Sequence, residues 1–355
     1  MAKTRTRAPA GKKAAPVAEP QARVQPAPAA VQQRVRVAMI GAGSMANAVH
    51  YPSLASLPDV EIAAICDLNE ERLNETADRY GVKRRYTSYP RMIADVDPDA
   101  VYAIGQPHLM FDVWMWCLGQ GLDLFIEKPL GLSLHQARAL AHTAAEQGCI
   151  TQVGFQRRSC PMVVRLRDEC LRRGPVSHAV CRFYKWAPTP FLGARDHMMD
   201  DGVHAIDTLR WLCAGEVVEV QSRTRRIGTP DINFISAMLH FDNGAVGVLL
   251  NNWTSGKRIF SVEIHAPGIF VEAEHEGKGY LYADGDVEGV VYDSREVAGS
   301  TGNYVYGGFQ AKSREFIDAV RTRVPPSSHF GDALKTMEVA EIILAQNLLR
   351  GPGSR

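Results

Sequence analysis

Two groups of residues in this 355-residue chain combine types and spacings that suit proton chemistry. The first is Glu127-Lys128-Pro129, which follows an apolar run over residues 122–126. An ammonium at the end of a buried strand, partly desolvated and beside another positive charge, has a lowered pKa and can pass a proton. Proline fixes the turn and removes a competing donor. The same triplet is equally compatible with a surface lysine paired to Glu127. The second group is Asp200-x-Gly202-x-His204-x-x-Asp207. On a helix that advances about 100° per residue, Asp200, His204 and Asp207 share a stripe. Val203, Ile206, Leu209 and Leu212 line much of the other side. One carboxylate can orient the imidazole while the free ring nitrogen handles a substrate proton. Gly202 lowers helix propensity, which suggests close approach by a ligand or by backbone. A capping aspartate beside a structural histidine is the plainer alternative. No third ligand has a metal-binding spacing, so no metal is expected.

These groups need elements to hold them, and the clearest lies upstream. The apolar run Val35–Ile40 leads into Gly41-x-Gly43-x-x-Ala46, with Ser44 and Met45 inside the turn. A helix-forming stretch follows, and a second apolar run, Val60–Cys66, ends on Asp67. That is the order of a dinucleotide-binding βαβ unit. Gly41 permits the sharp turn, Gly43 lets the pyrophosphate approach the backbone, and Ala46 lets the helix sit close to the sheet. The phosphates would lie at a helix N-terminus. Asp67 would accept from the ribose hydroxyls and repel a 2′-phosphate, which favours NAD over NADP. Strand and helix patterns then alternate to residue 155, predicting a parallel sheet with helices on both faces. Gln106, Pro107 and His108 close its strand over 100–104. They join Glu127 and Lys128 as expected cofactor-side residues, because ligands collect at the carboxyl ends of such strands.

After Phe155 the rhythm changes. Helices over 162–173 and 199–213 flank a strand over 177–186. Several strand-like runs follow between residues 217 and 283, and helices over 310–322 and 332–349 close the chain. Asp242-Asn243-Gly244 suits a type I′ hairpin turn. This half reads as a mostly antiparallel open sheet with helices on one face, whose other face is a natural place for subunits to pack. The expected organisation is an N-terminal arm (1–33), a Rossmann domain (34–155) and a substrate and oligomerisation α/β domain (156–355). The last helix, 332–349, is expected to pack back on the Rossmann domain.

Composition narrows the classes. The formal charge of +1, with 46% apolar and 22% charged residues, points to neither nucleic acid nor a membrane surface as partner. Residues 1–33 are rich in Ala, Pro and Gln, contain Glu19 as the only acid, and read as disordered, with no apolar core of a secretory signal. Seven scattered cysteines without a CxxC pair suggest buried thiols in a reducing, cytoplasmic setting.

Taken together, the glycine turn, Asp67, Glu127-Lys128-Pro129, the run from Val153 to Arg158, and Asp200/Gly202/His204/Asp207 occur in the order seen in the Gfo/Idh/MocA oxidoreductases. The resemblance covers about residues 34–350. It implies NAD(P)-dependent oxidation of a secondary alcohol on a sugar or cyclitol, commonly by a homodimer or homotetramer. It also implies catalytic roles for Lys128, Asp200 and His204: His204 as general base, Lys128 stabilising the developing charge or itself the base, and Asp200 positioning substrate. Two further activities fit the motifs, a redox-assisted glycosidase or lyase with tightly bound NAD and a non-catalytic NAD-binding regulator. One departure falls on the loop after the fourth strand, where many members read Thr-Pro-Asn followed by His. This chain has Gln106-Pro107-His108, with Phe111 at the usual histidine position. Arg157, Tyr184, Trp186, His197, Asp200 and His204 are expected to contact substrate. Arg158, Lys185 and Arg195 add a basic excess that raises the hypothesis of an anionic substrate.

Overall fold

The alternating runs of the first half fold into six parallel strands: β1 (Val35–Ile40), β2 (Val60–Cys66), β3 (Arg85–Tyr86), β4 (Ala100–Ala103), β5 (Leu124–Ile126) and β6 (Thr151–Val153). Their order in the sheet is β3-β2-β1-β4-β5-β6, the doubly wound arrangement with its switch point between β1 and β4. The computed structural model describes Met1 and residues 33–190 and 196–349. Nearly all of the expected arm, and Arg195, lie outside the described residues.

Helices α1 (Tyr51–Ala55), α2 (Glu70–Tyr80), α3 (Tyr89–Val96), α4 (Pro107–Gly119) and α5 (Leu134–Glu146) supply the crossovers. Local signals set several ends. Asn69 caps α2 by accepting from Arg72 N, and Gly81 ends it at φ +67°. Ser133 caps α5 through Gln136 N. The first expected helix, 44–57, is not continuous. A π-turn over Ala46–His50 precedes α1, and Tyr51 N–H reaches back to Ala46 O. Pro52, next in line, has no N–H with which to continue a regular ladder.

The second half begins with α6 (Pro161–Arg173) and builds an eight-stranded sheet. Its strands are β7 (His178–Trp186), β8 (Val217–Arg225), β9 (Phe234–Phe241), β10 (Val246–Asn252), β11 (Thr254–Ala266), β12 (Ile269–Glu274), β13 (Lys278–Ala283) and β14 (Val290–Asp293). The order is β14-β13-β12-β11-β7-β10-β9-β8, with β7 and β10 parallel and the other pairs antiparallel. Between β7 and β8 runs α7 (Val203–Cys213), which with α6 covers one face of this sheet. Strand alternation puts Ala179, Cys181 and Phe183 beneath the helices. The β9–β10 turn falls at Asn243-Gly244, but only Gly244 takes a positive φ (+84°), so it is not the type I′ turn expected. Asn243 is instead held by its own side chain, which donates to Cys213 O and accepts from Ala245 N.

Two short helices, α8 (Ser294–Ala298) and α9 (Asn303–Tyr306), lead into α10 (Phe309–Thr322) and α11 (Phe330–Leu349). α11 lies against α5, where Arg138 meets Glu338 at 3.3 Å, and against β8, where Gln346 accepts from Ser222. The less expected contact is α10, whose Phe316 and Ile317 share a core with Val37, Tyr102 and Phe125 of the parallel sheet. Burying each of these large apolar side chains stabilises the fold by about 1.5–3 kcal/mol. Among the described residues, no helix is long and apolar enough to cross a membrane. All seven cysteines are free, and Cys149 is the only one not fully buried.

Candidate active site

Where β1 ends, Gly41 adopts φ +107°, and a Cβ there would stand 1.9 Å from Ile104 O beyond β4. Only glycine fits this crossing. A Cβ on Gly43 would meet nothing within 4 Å, which leaves open space in front of the helix N-terminus. Ala46 is fully buried against the sheet, while Ser44 and Met45 are exposed at the turn. These residues fit a dinucleotide pyrophosphate. Asp67, at the end of β2, closes the turn as well as facing it: Oδ2 accepts from Ala42 N (2.8 Å), and Oδ1 from Asn69 N (2.8 Å) and Arg72 (3.0 Å). Gln106 and His108 are exposed and Pro107 half-buried at the start of α4.

Glu127 and Lys128 leave the end of β5 in different directions. Glu127 is buried, and its Oε1 meets His50 Nε2 of the π-turn at 2.8 Å. Gly154 leaves room for this carboxylate, since a Cβ there would stand 2.6 Å from that oxygen and push it aside. Sequence reasoning passed over His50, whose only signal was a histidine among the apolar positions of the first helix. Lys128 reaches across to the second half of the chain. Its Nζ donates to Asp200 O (2.6 Å) and to Asp201 Oδ1 (3.2 Å), with Asp200 Oδ1 at 3.9 Å. Burial pulls the ammonium down, but Asp201, Asp200 and Glu127 outweigh it and leave the pKa raised. The lowered pKa expected at this strand end is therefore corrected, because that expectation counted desolvation and omitted these carboxylates.

A π-turn over Met198–Gly202 precedes α7, so the helical phase assumed for residues 199–213 fails at its start. A π-turn carries an extra residue per turn and rotates what precedes it. Asp201, rather than Asp200, becomes the carboxylate gripped by Lys128, and Lys185 of β7 binds its other oxygen. Burial opposes ionisation of Asp201, yet the two ammonium groups hold its pKa well down. Asp201 did not stand out as a site residue in the sequence, and Lys185 did so only as part of the basic excess. Gly202 has close neighbours, as its type suggests: a Cβ there would stand 2.9 Å from the Met198 thioether and 3.4 Å from both the Asn251 amide and the His197 backbone oxygen.

His204 follows one turn after Asp201, is buried, and meets the Phe155 ring edge-on at 5.9 Å. Its pKa is driven well below the ordinary value, first by burial and then by Arg157 and Lys128, so the imidazole is neutral. Its Nδ1 is enclosed without a partner. Asp207 does not orient it. Asp207 turns to Arg158, whose Nε donates to Oδ2 at 2.7 Å, and Asp332 holds the same guanidinium at 2.8 Å. Arg158 is therefore a buried tie between elements and not a cleft residue.

His197 is fully buried and stacks on Trp253 with ring centroids 4.7 Å apart, so it braces the π-turn. Arg157 lies over the Phe260 ring at 3.6 Å. Tyr184 and Trp186 are not brought to this cluster. They alternate with Phe183 and Lys185 and so fall on the other face of β7, with Trp186 69% exposed. Among the described residues there is no group of three or more His, Cys, Asp or Glu that could hold a metal.

Comparison with known proteins agrees with this architecture. Residues 35–155 match the GFO_IDH_MocA family, described as an oxidoreductase family with an NAD-binding Rossmann fold, and residues 172–267 match the GFO/IDH/MocA C-terminal domain. The chain is 25% identical over 340 residues to the rhizopine catabolism protein MocA of Rhizobium meliloti, spanning 90% of this chain and 98% of that protein. It is 24% identical to the myo-inositol 2-dehydrogenase of Thermotoga maritima, over 82% of this chain and 90% of that one. The crystal structure of a dehydrogenase from Chromobacterium violaceum superposes with a TM-score of 0.81 at 21% identity, over 89% of this chain and 96% of that one.

Proposed function

As the chain belongs to the Gfo/Idh/MocA family of NAD-binding oxidoreductases, we propose that it oxidises a secondary hydroxyl of a sugar, sugar derivative or cyclitol. The observation that carries this reading is the meeting of Lys128 from the end of β5 with Asp201 and His204 from the second half of the chain. The Gly41–Ala46 turn, with Asp67, Gln106, Pro107 and His108, would hold NAD, which would supply the hydride acceptor. Lys128, kept as an ammonium, donates to the substrate oxygen and stabilises the negative charge that grows there. It has no free pair with which to take a proton. His204, kept neutral, accepts the hydroxyl proton and later gives it to solvent. The alcohol thus loses a hydride and a proton and becomes a ketone. Asp201 fixes the ammonium, and Asp200 adds its carbonyl to the same grip. His197 supports the π-turn behind them. The open face of the eight-stranded sheet, with Tyr184 and Trp186 on it, suits packing between subunits of a cytoplasmic homo-oligomer.

A panel of sugars, inositols and uronates assayed for NADH absorbance with NAD⁺ and NADP⁺ tests the reading. Lys128→Ala and His204→Ala each lower turnover by about 10²–10⁴-fold while NAD still binds. Full activity in both variants refutes the assignment. Nicotinamide absorbance in the freshly purified protein would instead favour a tightly held cofactor and the redox-assisted reading.

A further inference from the structure

Two adjacent arginines offer an internal comparison. Arg157 and Arg158 are buried to the same degree, 6% and 7% exposed. Arg158 is fully engaged by Asp207, Asp332 and Ser327 O. Among the described residues, Arg157 has no carboxylate within ion-pair distance, and its Nε is enclosed with no hydrogen-bond partner. The carboxylates that act on it from further away are committed elsewhere, Glu276 to Arg258 at 3.3 Å and Asp201 to Lys128 and Lys185. What surrounds the guanidinium is otherwise uncharged. Its Cζ lies over the Phe260 ring, 3.6 Å from the centroid, with the Phe183 centroid at 5.6 Å. His275 meets the same Phe260 ring edge-on, with both ring nitrogens enclosed. Burial and the field of Arg157 keep His275 and His204 neutral.

A buried, unpaired guanidinium is costly, and stacking on an aromatic ring recovers only a small part of the loss. Desolvation draws Arg157 down to about 10, which still leaves it charged at neutral pH. Uncompensated burial of this kind is retained where a ligand supplies the missing charge. The sign of that charge follows from the cluster. Asp201 holds Lys128 and Lys185, with Asp200 also beside Lys128, whereas Arg157 has no carboxylate in ion-pair distance among the described residues. A guanidinium is planar, and its fork of N–H donors matches a carboxylate in two parallel bonds.

We infer that Arg157 is the anion-recognition residue of this cleft and takes the carboxylate of a sugar-acid or cyclitol-acid substrate. The inference rests on the dehydrogenase reading for the rest of that substrate, and on the unpaired arginine for its charge.

The test compares the wild-type chain, saturated with NAD⁺, with Arg157→Met in thermal unfolding. Sodium acetate, inorganic phosphate and sodium chloride are matched in ionic strength. Acetate is expected to raise the wild-type Tm over chloride by about 2 °C or more, and to leave Arg157→Met unmoved. In chloride the variant is expected to melt no lower than the wild type, because it has lost an uncompensated charge. A wild type indifferent to acetate, or an equal acetate shift in the variant, overturns the proposal. A larger Arg157-dependent shift with phosphate replaces the carboxylate by a phosphate. If Arg157→Met does not fold, Arg157→Gln answers the same question. In turnover, Arg157→Gln is expected to cut the kcat/KM ratio of a uronate to its neutral parent sugar by about ten- to a hundredfold. The acetate comparison needs no turnover. Anion recognition can therefore fail while neutral sugars still reduce NAD⁺, or stand while none does.

Discussion

Lys128 has more negative charge around it than a strand-end lysine ordinarily has, and most of it comes from Asp201, Asp200 and Glu127. Asp201 is the partner whose carboxylate bonds the ammonium, while Asp200 contributes mainly a carbonyl. Asp201→Asn is therefore expected to reduce kcat more than Asp200→Asn. Removing that charge lowers the Lys128 pKa, so the alkaline limb of the kcat profile moves to lower pH in Asp201→Asn. A greater loss in Asp200→Asn, with the limb unmoved in both, would return the acidic role to Asp200. The two buried histidines carry a second pH dependence. His204 and His275 have folded-state pKa values driven well below 6.5, chiefly by burial. The unfolded chain takes up protons near 6.5 that the folded chain refuses, so their stability is present above that pH and lost below it. The expected slope is about 1.4 kcal/mol per pH unit for each histidine. Urea midpoints should fall between pH 7 and pH 5.5, and fall less in His275→Phe. Equal slopes in the two proteins would contradict this account.

At the scale of elements, both helices that serve the site begin with a π-turn, Ala46–His50 behind the glycine turn and Met198–Gly202 before α7. Each turns a polar group inward that regular helical phase would have placed elsewhere. The first brings His50 to Glu127, joining the glycine turn to the strand end that carries Lys128. His50→Leu leaves the Glu127 carboxylate buried without this partner, at an expected cost of about 2–4 kcal/mol. His50→Gln, which keeps one hydrogen bond, should lose less. Chemical denaturation measures both, and an unchanged midpoint in His50→Leu would show the pair to be dispensable.

Across the whole molecule, the two sheets are tied by buried charge as well as by apolar packing. Arg158, just beyond β6, binds Asp207 of α7 and Asp332 of α11, and Asp332 also binds Arg210 at 2.9 Å. Asp59 holds α10 to the parallel sheet through Arg314 and Arg321. Because Asp207 leaves Arg158 partly unpaired when it is removed, Asp207→Ala should destabilise the fold by about 3–5 kcal/mol. NAD affinity, measured on the folded fraction, should change far less. A variant of wild-type stability but weak NAD binding would mean that Asp207 serves the site directly.

The sequence by itself determined the βαβ unit around Gly41 and Asp67, the caps at Gly81 and Ser133, the strand–helix alternation, and the candidacy of Lys128 and His204. These depend on backbone sterics and on patterns repeated within a few residues, so they are written locally. It did not determine which neighbouring aspartate grips Lys128, that Asp207 belongs to Arg158, that Tyr184 and Trp186 face away from Lys185, or that α10 packs on the parallel sheet. Each of these turns on the phase of a helix or strand, and one extra residue in a π-turn or one step along β7 sends a side chain to another face. Only the assembled tertiary structure fixes that phase, because it is set by partners far away in sequence and by which charges must be paired once water is gone.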